Sequence, residues 1–238
     1  MDAEIPVIPE TRSAHAASSA ERVTLLKRDL FGSVRREARP PNSFVVIRDI
    51  TDARPWLKWL AKHLARREAR ALERLRDMAG IPRLLSFNGT QLTREYIDAD
   101  PMQQAKPANT LYFRNAFRLL RQLHARDIVH NDLAKEANWL VMNDGRAALV
   151  DFQLAAHSRR RGKLFRLLAH DDVRHLLKHK RSYIPDRLTA RERRILATPS
   201  IVTRIWMASG KRLYLLVTRR ILGWSDREGA ADRLHDRR

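Results

Sequence analysis

The sequence predicts an α+β protein, strand-rich in its N-terminal part and mainly helical in its C-terminal part. Three observations carry this reading. Short β-branched runs separated by turn residues recur through the first hundred positions. Apolar residues at helical spacing dominate from Thr110 onward. Within that second part lies a hairpin signal, Asn143-Asp144-Gly145, flanked by the apolar runs Trp139–Met142 and Ala147–Val150.

Composition bounds the possibilities. A chain of 238 residues holds one substantial core, or two small lobes sharing a cleft. It contains no cysteine, which excludes disulfides, a thiol nucleophile and a zinc–thiolate site. No run approaches the roughly 20 apolar residues of a membrane-spanning helix, and the N-terminus lacks the apolar centre of a signal peptide. A cytoplasmic location is expected. The net charge of +20 favours anionic partners. A coding preference for arginine is the competing explanation of that surplus.

The chain divides in order as follows. Residues 1–20 are rich in Pro, Ala and Ser without periodicity and read as a disordered tail. Val23, Leu25 and Leu30 lie among charges, and Phe31-Gly32-Ser33 marks a turn between two short strands. Ser43 to Ile50 is a β-branched strand that carries one cation, Arg48. Arg54 to Ala79 reads as a helix with Pro55 in its first turn. Leu57, Leu60, Leu64, Leu72 and Leu75 form its apolar stripe, and Glu68 sits in the middle of that stripe. A buried carboxylate needs a cation, because an uncompensated buried charge is costly. Arg48 is the natural candidate; the competing reading pairs Glu68 with a neighbouring arginine or a solvated edge.

Gly80-Ile81-Pro82 breaks the helix. Leu84 to Phe87 and Gln91 to Ile97 read as strands around Asn88-Gly89. Residues 99–108 read as a linker between an N-terminal lobe at 21–98 and a helical lobe at 109–224. Thr110 to Arg126 is a helix whose core residues are Leu111, Phe113, Phe117, Leu120 and Leu123, with His124 as a packing or helix-end residue.

From His130 the chain changes character. Asp132 lies in a polar loop, and Asn138 supplies a second oxygen suited to a hard cation. The following hairpin brings Asn138 and Asp151 to one end. Three oxygen-bearing side chains then converge, as Mg²⁺ requires when it is held by few protein groups plus substrate phosphates.

After Phe152 the segment to Arg161 turns basic. Leu164 to Lys180 is helical. His170, His175 and His179 on it read as a solvated basic face rather than a metal site, and Asp171 and Asp172 are placed to dock the helix under the polar loop. Thr189 precedes Glu192 by three positions, a capping box that opens a last pair of helices. Residues 201–223 mix apolar and basic side chains and either dock on the core or rest on an anionic membrane surface. Residues 225–238 read as a second disordered tail.

His130-Asn131-Asp132-Leu133, Asn138 and Asp151-Phe152-Gln153 together resemble the catalytic core of the protein kinase-like superfamily, in its small bacterial RIO-like and lipopolysaccharide-kinase-like branch. The resemblance implies a bilobal protein kinase-like fold of reduced size, with an antiparallel-sheet N-terminal lobe and a mainly helical C-terminal lobe, which uses ATP and Mg²⁺ to transfer the γ-phosphate to a hydroxyl. It implies Asp132 and Lys135 as catalytic residues, and Asn138 and Asp151 as metal ligands. For the nucleotide it implies Arg48 in place of the strand lysine, Glu68 as the helix carboxylate paired with it, and Gly32 where the glycine-rich loop lies. Lys27 is a substitute cation on the first strand. Glu95 and Ile97 fall on the strand whose backbone receives adenine. The chain departs from the pattern at four points: five residues rather than four separate Asp132 from Asn138, Gln153 replaces glycine, Arg48 replaces lysine, and one glycine stands for several.

Three functions follow from the resemblance. One is a RIO-like Ser/Thr protein kinase, and another a kinase for a sugar hydroxyl of lipopolysaccharide, with peripheral contact to an anionic membrane. The third is a pseudokinase that binds nucleotide or a partner without turnover. Nucleic-acid binding is weaker still, since aromatic content is 7% and no basic–aromatic stacking motif stands out.

Overall fold

Side-chain alternation organises the N-terminal part of the computed structural model, which describes residues 23–41 and 43–198. Strands β1 (Val23–Asp29), β2 (Gly32–Arg39), β3 (Ser43–Asp49), β4 (Leu84–Phe87) and β5 (Gln91–Glu95) form one antiparallel sheet in the order β1-β2-β3-β5-β4. In this register Arg48 lies opposite Val34 and Leu92, and Val46 lies opposite Arg36 and Arg94. Residues directly opposite share a face. Arg48 and Arg94 therefore project from the same side of the sheet.

Helix α1 (Lys58–Arg74) packs on that side, after a 3-10 turn at Pro55–Leu57. Its buried stripe runs through Ala61, Ala65, Glu68 and Leu72 to Leu75. This corrects the leucine stripe expected from the sequence, because Leu60 and Leu64 are only half-buried. Alanines rather than leucines precede Glu68 in the buried stripe. The helix also ends earlier than the expected Ala79, with the Leu75 amide bonded to the Ala71 and Leu72 carbonyls.

Residues 99–108, expected as a linker, contain β6 (Ala99–Pro101) and a short helix α2 (Met102–Ala105). Helix α3 (Thr110–Ala125) starts at Asn109, whose side chain accepts from the Tyr112 amide at 2.8 Å. It buries Tyr112, Phe113, Leu120 and Leu123, while Leu111 is exposed, against expectation. Strands β8 (Trp139–Met142) and β9 (Ala147–Leu149) form the expected hairpin, and β6 pairs with β8. Two short strands, β7 (Ile128–Val129) and β10 (Ala156–His157), also pair. Helix α4 (Lys163–Tyr183) packs on α3, and α5 (Ala190–Ala197) follows with the expected Thr189–Glu192 capping box.

The main apolar core joins Leu72 and Leu75 of α1, Leu92 of β5, Phe113 and Leu120 of α3, Trp139 and Phe152. Both parts of the chain thus grip the segments that carry the polar residues of interest. Among the described residues no helix is long and apolar enough to cross a membrane. The tails at 1–20 and 225–238 and the segment 201–223 lie outside the described residues.

Candidate functional site

The loop after β7 is built from the inside outward. His130 is fully buried; its Nε2 lies 3.0 Å from the Val150 carbonyl, and its ring packs on Phe152 at 4.6 Å between centroids. Asp172 of α4 receives the His130 amide at 2.8 Å, the Asn131 amide at 3.0 Å and His124 Nε2 at 3.1 Å. One buried carboxylate thereby fixes the loop backbone, including Asn131 at a φ of 65°. Burial pushes the His130 imidazole down despite the opposing pull of Asp172.

Asp132 follows, with a side chain only 15% exposed. Its Oδ2 accepts from Asn138 Nδ2 at 3.0 Å and from Lys135 Nζ at 2.9 Å. The 3-10 turn Glu136–Asn138 absorbs the extra loop residue, so the Asn138 side chain still reaches Asp132. The Asn138 carbonyl accepts from the Val150 amide at 3.1 Å, which sets Asn138 across the hairpin from the residue before Asp151.

Asp151 has a φ of 65° and opens the 3-10 turn Phe152–Leu154. Gln153 Nε2 donates to its Oδ1 at 2.8 Å, and Arg48 Nη2 stands 3.8 Å from the same oxygen. Burial works against the Asp151 charge. Arg48, Gln153, Lys135 and His130 outweigh it and hold the carboxyl below its usual range.

Glu68 is fully buried, with Arg48 Nε 3.1 Å from its Oε2 and Arg94 Nε 3.5 Å from its Oε1. Neither contact is aligned as a hydrogen bond, so these are ion pairs held by proximity. Arg48, Glu68, Arg94 and Asp151 form one chain of alternating charge beneath the sheet.

The remaining residues singled out by the sequence lie at other points. Lys27 is more than half exposed and pairs with Asp29 at 3.1 Å, two strands from Arg48. Gly32 is committed to packing: its φ is 122°, and a Cβ there would lie 2.1 Å from the Asp49 carbonyl. Glu95 projects from the face opposite Arg48, and its carboxylate pairs with Arg83 at 3.1 Å. Ile97 lies two residues beyond β5, outside any strand. The solvated histidine face expected on α4 is corrected for His179, which is buried with Nε2 2.8 Å from the Leu133 carbonyl. The neighbouring Lys180 is buried too and pairs with Glu192 at 2.7 Å.

Sequence reasoning missed Arg94 as the second partner of Glu68. Its signal was the two-residue period of β5, which sets Arg94 on the face of Leu92. It also missed the amide of Gln153 as a donor to Asp151.

The donor set suits a hard cation. Asp151 and Asn138 offer a carboxylate and an amide oxygen, and Mg²⁺ is held by one or two such groups with phosphate oxygens completing its shell. Among the described residues no group of three or more His, Asp or Glu could hold a metal by itself. Two protein ligands beside a phosphate are consistent with that.

An antiparallel sheet and a helical part meeting over this loop define a protein kinase-like fold. A model of the RIO domain matches residues 25–192, and the chain belongs to that family of kinase-like, ATP-binding phosphotransferases. No curated protein matches the chain.

Proposed function

We propose that this chain is an ATP- and Mg²⁺-dependent kinase that phosphorylates Ser or Thr hydroxyls of protein. The observation that carries the reading is the placement of Asp132. Its carboxylate is aimed by Asn138 at 3.0 Å and by Lys135 at 2.9 Å.

In this reading Asp132 receives the proton of the attacking hydroxyl. The hydroxyl oxygen bonds to the γ-phosphorus while the bond to the bridging oxygen breaks, leaving ADP. Lys135 meets the γ-phosphoryl oxygens. Arg48, held by Glu68, faces the phosphates, and the backbone at Glu95 and Ile97 receives adenine. Asn138 and Asp151 would hold Mg²⁺, which neutralises phosphate charge when bound. Positioning and charge stabilisation supply most of the catalysis of phosphoryl transfer, so few groups suffice.

A sugar hydroxyl of an anionic glycolipid is the second acceptor, favoured by the net charge of +20. A pseudokinase is favoured by Arg48 and by the single glycine at Gly32, which is committed to β3.

The test is ATP turnover with Mg²⁺ for the wild type, Asp132→Ala and Asp151→Ala, with nucleotide binding followed by thermal shift. Loss of turnover in both variants supports the kinase. Nucleotide binding without phosphate transfer to any protein or glycolipid acceptor supports the pseudokinase. No nucleotide binding overturns the assignment of the cleft.

A further inference from the structure

Helix α1 carries His63, Arg67, Arg70 and Arg74 at spacings of four, three and four. That spacing puts them on one stripe. Like charges three and four positions apart destabilise a helix, so the stripe works against α1 unless an anion meets it. Arg67 is engaged: its Nη2 donates to the Leu154 and Ala155 carbonyls at 2.9 and 3.0 Å. Arg70 and Arg74 pair with no carboxylate among the described residues.

The stripe lines a cavity of about 390 Å³ between α1 and the segment leading into β10, closed on that side by Ala155 and His157. No acidic residue lines it. Burial, then Arg74, push the His157 imidazole down against the pull of Asp127. The cavity is separate from the Asp132–Asp151 cluster, yet both of its walls lead there. Glu68 lies on α1 between Arg67 and Arg70, and Ala155 follows Asp151 by four residues.

We propose that this cavity is a binding site for a phosphoryl-bearing dianion, gripped by the Arg70 and Arg74 guanidiniums across from His157. Guanidinium forks match phosphoryl oxygens in pairs. A bound dianion bridges α1 to the segment after Asp151 and thereby steadies the helix that carries Glu68. The site does not depend on the kinase reading.

The experiment uses the full chain at about 0.15 M salt, where attraction by scattered exposed charge is largely screened. Inorganic phosphate and glycerol 3-phosphate are titrated separately, and the His157 imidazole resonance is followed by NMR. Arg70→Gln/Arg74→Gln is compared with Arg114→Gln/Arg118→Gln, which removes the same charge from α3. Binding that moves His157, weakens by about tenfold or more in the α1 variant and survives in the α3 variant supports the site. The tighter probe names the source of the phosphoryl group, as free ion or ester. A silent His157 resonance, or equal weakening in both variants, overturns the proposal. Unchanged circular dichroism in both variants establishes that the comparison is between folded chains.

Discussion

Arg48 Nε lies 3.1 Å from Glu68 Oε2, and the Glu68 side chain is fully buried. Arg94 approaches the other oxygen at 3.5 Å. Two cations thus share one carboxylate inside the protein. Removing that carboxylate strands Arg94 and leaves Arg48 with only the 3.8 Å contact to Asp151. Glu68→Ala is expected to lower the unfolding free energy by about 3–5 kcal/mol, the cost of leaving a buried charge uncompensated. Urea unfolding measures it. A loss under about 1 kcal/mol, the range of exposed ion pairs, would mean that water already screens the cluster.

Gln153 follows Asp151 by two positions, and its amide donates to Asp151 Oδ1 at 2.8 Å. Gln153→Gly removes that donor and frees the backbone beside it. A hydrogen bond to a charged group contributes about 1.5–3 kcal/mol; the side chain of Asp151 is 31% exposed, so water recovers part of this. The Mg²⁺ concentration giving half the nucleotide-dependent thermal shift is expected to rise several-fold. An unchanged midpoint would make Gln153 a spacer only.

Asp172 holds two loop amides and His124 from a buried position. Asp172→Ala leaves the His130 and Asn131 amides without their acceptor and is expected to cost about 3 kcal/mol. Asp172→Asn keeps one acceptor oxygen and is expected to cost less. Because the loop carries Asp132, turnover by Asp172→Asn should fall while its nucleotide affinity stays near wild type. Equal loss of both would point to general unfolding.

Stability is expected to fall as pH drops below about 6.5. Burial lowers the imidazoles of His130 and His179 in the folded chain, whereas unfolded histidine titrates near about 6.5. Between the folded values and about 6.5 the unfolded chain binds more protons, so acid favours unfolding in that window. The Asp151 carboxyl, held low, adds its loss only below about 4. Urea midpoints at about pH 7.5 and about pH 5 measure the slope. His179→Gln, which keeps a donor for the Leu133 carbonyl, should flatten it, and an unchanged slope would remove His179 as a contributor.

Much of the geometry of the candidate site was legible because its signals are local. Asn143-Asp144-Gly145 fixes a hairpin by turn chemistry, so Asn138 and Asp151 had to fall at one end. The helical period put Glu68 on a buried face, and charge balance then demanded a cation. For Lys27 the strand period gives a face and not a reach. It shares the face of Arg48 but stands two strands away, paired with Asp29.

The sequence by itself determined the strand-rich and helical parts, the hairpin, the Thr189–Glu192 cap and the acidic residues around the loop, because each depends on residues close together in the chain. Only the tertiary structure decided that Arg94 shares Glu68 with Arg48, that Gln153 aims Asp151 and that His179 and Lys180 are buried. The first and last of these depend on how strands pair and how helices pack across long separations. Gln153 is a near neighbour of Asp151, but its contact required the turn at a φ of 65° that brings the amide back onto the carboxylate. Spacing along a chain names candidates for a face, and packing selects which of them meet.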